Sequence, residues 1–191
     1  FLGSLLFHKK FCLEFVNRGG VKHLLQIPRP SLPADGVALC LWYLGYCEEA
    51  VERMCLLADH VLEQLLKYAL WLVESGHPSG RTHAIMFFGL VFRFRAILDR
   101  FDKQDGLRKL MNVMSTMSIL QNLTEEDAPE DPNEAMMWQT VKHVCLTIRN
   151  YFEAHLATRV HHTSYQRSLS TNNSATPCYK PLNVSWESVT R

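Results

Sequence analysis

No two of the six cysteines, at positions 12, 40, 47, 55, 145 and 178, form a Cys-x-x-Cys pair. A chain of 191 residues with 47% hydrophobic content has no need of a disulfide framework. Reduced thiols, mostly buried, in a reducing compartment are the expectation. Net charge is also lacking. Twenty Lys+Arg against 19 Asp+Glu leave +1, which gives no bulk field for a nucleic-acid backbone. No apolar run reaches ~18 residues without a charge or a break, so no membrane span is expected. Alternating apolar and polar runs bounded by turn residues are nearly absent, which argues against strands. The strings G-x-S-x-G, H-E-x-x-H, the P-loop, and the V-A-I-K, H-R-D and D-F-G set of kinases are missing. No catalytic residue, cofactor or metal site is therefore expected. Among the nine histidines, His161 and His162 are adjacent, and His143 and Cys145 fall on different helix faces. His83, His143 and His155 converge only if the fold brings them together, and core-edge or surface positions are the plainer reading.

What is present is helical periodicity. Leu5, Leu6, Cys12, Leu13 and Val16 share a face that stops at Gly19-Gly20. Pro28, Pro30 and Pro33 block continuation of the next stretch, and a helix restarts near Ala34-Asp35. Glu48 to Leu57 reads as a short helix. Leu62, Leu65, Leu66, Ala69, Leu70 and Val73 form a stripe at three-and-four spacing. The segment from about Thr82 to Phe101 is apolar almost all round, as a central helix packed on several sides would be. Leu107 to Leu120 continues the pattern. Residues 122–134 hold six acids and two prolines and read as a solvated loop. A helix of about 22 residues then spans Ala135 to Ala157. The expected organisation is helical repeats over 1–158, a disordered linker over 159–183 and the start of a further helix over 184–191. The opening Phe1-Leu2-Gly3-Ser4, without Met, reads as a piece of something larger.

Two segments share the pattern F-x(4)-G-[VL]-x-x-L. They are Phe15 through Gly20 to Leu24, and Phe101 through Gly106 to Leu110, 86 residues apart. Between them, Val61-Leu62-Glu63-Gln64-Leu65 matches the tail, 40 residues after Val21 and 46 before Leu107. A period near forty with two or three helices per unit is the mark of armadillo or HEAT arrays. One such unit cannot bury its own apolar face, so units stack and share a continuous core. The expected fold is all-α, an armadillo/HEAT-like superhelix in which the repeated Gly lets the short first helix turn into the second.

The words themselves are more specific. Phe15-Val-Asn-Arg-Gly-Gly-Val-Lys-His-Leu-Leu-Gln-Ile-Pro-Arg-Pro30, His83-Ala84, Met86-Phe87-Phe88, Phe94-Arg95-Ala96, Asp105-Gly106-Leu107-Arg108 and Tyr151-Phe-Glu-Ala-His-Leu-Ala157 closely resemble the Vpr-binding protein (mahjong) family. The resemblance implies the armadillo-like part of a large substrate receptor of cullin-4 RING ubiquitin ligases. It implies protein partners, with adaptor and cullin reached through regions outside this sequence, possible self-association, and residence in nucleus and cytoplasm. A generic helical adaptor with no ligase link is the alternative.

Two surface expectations remain. Arg93, Arg95, Arg100, Arg108 and Lys109 cluster in sequence. They read either as an anion-binding strip for an acidic partner on the inner face, or as solvated helix ends balancing the acids at 125–134. Armadillo arrays that hold extended peptides place an Asn on the inner helix of each unit. The neighbourhoods Leu41-Trp42-Tyr43-Leu44 and Phe87-Phe88-Gly89-Leu90 supply none, so no regular carboxamide ladder to a peptide backbone is expected.

Overall fold

A computed structural model describes residues 1–117, 132–167 and 177–182. Ten helices are named among them: α1 (Leu2–Leu6), α2 (Lys9–Asn17), α3 (Gly20–Leu25), α4 (Pro33–Tyr46), α5 (Glu48–Cys55), α6 (Asp59–Ser75), α7 (Pro78–Val91), α8 (Arg95–Lys103), α9 (Gly106–Ser115) and α10 (Pro132–Arg167). After α1 they fall into three units of three: α2-α3-α4, α5-α6-α7 and α8-α9-α10. The first helix of each unit is short and follows an extended residue: His8, Cys47 or Phe94. The third begins with a proline: Pro33, Pro78 or Pro132. Proline suits a first helical position, where its fixed φ fits and its missing N–H has no partner to lose.

The units stack. Helix α1 and the third helices pack in the order α1, α4, α7, α10, while α3, α6 and α9 form a second row, with α2 against α5 beside it. A glycine sits at each crossing of the first row. Gly3 faces Leu39 and Tyr43 of α4; Gly45 faces Phe87 and Leu90 of α7; Gly89 faces Thr147 and Asn150 of α10. Added Cβ atoms would stand 3.0–3.6 Å from those side chains, so the missing side chain sets how closely neighbouring helices approach. The chain is an all-α helical repeat. Its central helix is α7, whose Ala84, Ile85, Phe87, Phe88 and Val91 are fully buried among α4, α6 and α10.

The strongest internal match is between α2-α3 and α8-α9. Shifting α2 by 86 residues gives the bounds of α8, and α3 and α9 start 86 apart. The residues before the helices, His8 (φ −84°, ψ 114°) and Phe94 (φ −95°, ψ 109°), agree as well. So do the left-handed residues joining them, Gly19 (φ 78°) and Asp105 (φ 58°). The repeated glycine does a different job from the one expected. The turn is made by the residue before it, for which Gly or Asp serves. Gly20 and Gly106 are required because the rings of Phe15 and Phe101 lie where their Cβ atoms would be. In the middle unit α5 and α6 are joined instead through extended Ala58.

Three boundaries differ from the sequence reading. The apolar run 82–101 is two helices, broken at residues 92–94. Helix α10 runs to Arg167, through the start of the expected linker. Residues 177–182, the other end of that linker, dock on the array. Most of the acidic loop (122–131), the stretch 168–176 and the segment 184–191 lie outside the described residues, and 132–134 belong to α10.

Candidate interaction surface

The third unit is tied together around an aromatic cluster. Phe101 of α8 meets Phe88 and Phe92 at ring-centroid distances of 5.0 and 4.7 Å, and Tyr151 of α10 at 5.7 Å. Beside it the Asp102 carboxylate accepts from the Tyr151 hydroxyl (2.8 Å) and lies 3.2 Å from His155 Nε2. Burial and the neighbouring carboxylate push the Tyr151 phenol up to about 12. Polar side chains of α10 reach the backbone of α7. Thr147 donates to the Ile85 carbonyl (3.0 Å) and Asn150 Nδ2 to the Gly89 carbonyl (3.0 Å). The third unit therefore has the inner-helix Asn that the first two lack, but it is engaged within the array.

The five basic residues do not form one strip. Arg93, just after α7, lies 3.3 Å from Glu48, and Arg95 lies 3.5 Å from Asp99. Arg100 bonds Asp59 at 2.6 Å and the Ala96 carbonyl at 2.8 Å. Arg108 pairs with Asp105 and Lys109 with Glu74. None sits on α4, α7 or α10. Arg100 and Lys109 line a charged cleft between α6, α8 and α9 that also holds Arg29, Trp71 and Gln104, while Arg93 faces a separate cleft. The acids that balance them are therefore spread along the described helices.

The row of third helices presents a different chemistry. Trp42 of α4 packs on Tyr43 (5.0 Å), on Tyr46 (5.4 Å) and across to His83 of α7 (5.1 Å). Burial holds the His83 imidazole below its ordinary pKa. It does the same for His143 of α10, with Lys142 and His83 adding to the effect. The fold thus brings His83 and His143 within electrostatic reach, while His155 lies elsewhere. No group of three or more His, Cys, Asp or Glu side chains suited to a metal is gathered among the described residues. A histidine held below its unfolded pKa favours folding at neutral pH and opposes it once both states are protonated. Stability is therefore expected to fall as pH drops from 7 toward 5. His83→Gln should flatten that fall in denaturation midpoints, and an unchanged slope would remove His83 from the account.

All six cysteines are free thiols, four of them buried or half-buried. Burial pushes Cys12 and Cys55 up to about 12 and Cys40 to about 11. Only Cys145 and Cys178 depart from the expected burial, being exposed. Native-state alkylation at pH 8, read by mass spectrometry, should label those two well before Cys12, Cys40 and Cys55, since the thiolate is the reactive form.

Comparison with known proteins places this architecture. Residues 1–58 match the family model of the Mahjong helical domain, and residues 141–191 that of the DCAF1 helical domain. Protein mahjong of Drosophila melanogaster is 45% identical over 181 residues, 93% of this chain and 11% of that protein. The chain belongs to the mahjong/DCAF1 family. The DDB1- and CUL4-associated factor homolog 1 of Caenorhabditis elegans is 40% identical over 84% of the chain and 9% of that protein. Its namesake in Arabidopsis thaliana is 34% identical over 97% and 10%. This mahjong-family chain spans about a tenth of the length of those relatives. The Mahjong model covers α1 to α5, and the DCAF1 model takes up within α10.

Proposed function

We propose that the chain is a non-catalytic protein-interaction and scaffold module of a substrate receptor for a cullin-4 RING ubiquitin ligase, working in nucleus and cytoplasm. In that role it contributes to substrate recruitment or self-association. The observation that carries this reading is similarity over at least 84% of the chain to relatives named as DDB1- and CUL4-associated factors. The architecture suits it. A stacked array is a long, rigid surface, and here the row of third helices carries aromatic and half-exposed apolar side chains of the kind that anchor protein contacts. The test is affinity purification of the full-length protein, intact and with residues 1–182 deleted. Recovery of DDB1 and cullin-4 by both forms, with loss of ubiquitinated substrates from the deletion alone, supports the reading. Recovery of neither ligase component by the intact protein points to an adaptor without a ligase link.

A further inference from the structure

After α10 the chain returns to the array at the α7–α8 junction. The Leu182 amide donates to the Arg93 carbonyl (2.8 Å), the Ala96 amide donates to the Cys178 carbonyl (3.0 Å), and Pro181 bridges antiparallel to Phe94. Lys180 Nζ lies 2.6 Å from Glu52 of α5. Leu182 lines a cleft of about 300 Å³ between α7 and α10, with Leu90, Phe92, Asn150 and Ala154. An extended stretch thus pairs with the exposed backbone where α8 begins and sets an apolar residue in the adjoining cleft. Proline before that residue leaves no N–H needing a partner.

The same backbone occurs 86 residues earlier. The Phe7 carbonyl and Lys10 amide stand where those of Arg93 and Ala96 stand, on either side of an extended residue of nearly equal dihedrals. No described residue bonds either group. Beside them lies a cleft of about 350 Å³ between α1 and α4, lined by Leu6, Phe7, Lys9, Tyr43 and Tyr46, and by Glu48 and Glu49, which already pair with Arg93 (3.3 Å) and Lys9 (2.6 Å). It is the same helix crossing, since Gly3 faces Tyr43 as Gly89 faces Asn150. Its walls are more aromatic, and Phe7 and Tyr46 are 72% and 58% exposed.

We propose that the α1–α4 cleft binds an extended segment of a partner protein with a Pro-Leu pair preceded by a basic residue. The leucine amide pairs with the Phe7 carbonyl and a carbonyl four residues earlier accepts from the Lys10 amide, as Leu182 and Cys178 do at α8. Leucine enters between Leu6 and Tyr43. Proline lies on the exposed aromatic faces, which favour it, and the basic residue shares Glu48 and Glu49 with Arg93 and Lys9. This assignment is independent of the ligase reading.

The test uses the full-length protein and a fluorescent hexapeptide in the order of residues 177–182, with serine for its cysteine. Anisotropy should show saturable binding. It should weaken about tenfold or more with Leu→Ala in the peptide or with Phe7→Glu in the protein. Phe7 is exposed, so the fold should survive, and circular dichroism checks that. A photoreactive leucine should cross-link to Leu6, Phe7, Tyr43 or Tyr46. Absence of saturable binding, indifference to Phe7→Glu, or cross-links confined to Leu90, Asn150 and Ala154 would overturn the proposal. Self-association lost on Phe7→Glu, without peptide binding, would give the cleft to a second copy and overturn it equally.

Discussion

Phe101→Ala is expected to lower the free energy of unfolding by about 3–5 kcal/mol, the most damaging of the truncations considered. The ring is fully buried against Phe88, Phe92 and Tyr151, from α7, its C-terminal end and α10. Its removal leaves a cavity where three elements meet, and it loosens the neighbouring Asp102 that holds Tyr151. The counterpart in the first unit is the control. Phe15 occupies the same place in the repeat but is only half-buried, with one stacked neighbour, Phe11. Phe15→Ala should cost about 1 kcal/mol, since less area is taken from water. Denaturant titration of both variants checks the difference. Equal losses would mean that the two units are not embedded as described.

Gly106→Ala is expected to cost about 1–3 kcal/mol although alanine is the better helix former. The added methyl falls inside the Phe101 ring, and that ring is enclosed on all sides. Gly20→Ala meets the same ring contact from Phe15, but Phe15 has solvent beside it and can swing away. The gain in helix propensity, up to ~1 kcal/mol, then offsets most of the strain. Thermal midpoints of the two variants should separate clearly, with Gly106→Ala lower. A neutral Gly106→Ala would show that packing does not fix this glycine.

The helical character and the period were legible because apolar spacing encodes them. The stripe Leu62-Leu65-Leu66-Ala69-Val73 is buried as its spacing requires, and the F-x(4)-G pattern marks two helix pairs whose first helices match in bounds and whose second helices match in start. The purpose of that glycine was not legible, since it depends on where a ring five residues earlier comes to rest. The break between α7 and α8 was hidden because Phe92, Arg93 and Phe94 include no glycine or proline. Pairings such as Arg100 with Asp59 join residues 41 apart and leave no local signal. The docking of 177–182 was missed for a related reason. It rests largely on backbone hydrogen bonds, to which side-chain composition is blind, and its surroundings in sequence are rich in Ser, Thr and Asn.

An experimental structure of this region tests the repeat most directly, by superposing residues 8–25 on residues 94–111. The account predicts that both helices and the left-handed residue between them coincide, with α3 and α9 lying on opposite sides of α6. Different paths through Gly19 and Asp105, or α3 and α9 on the same side of α6, would contradict it.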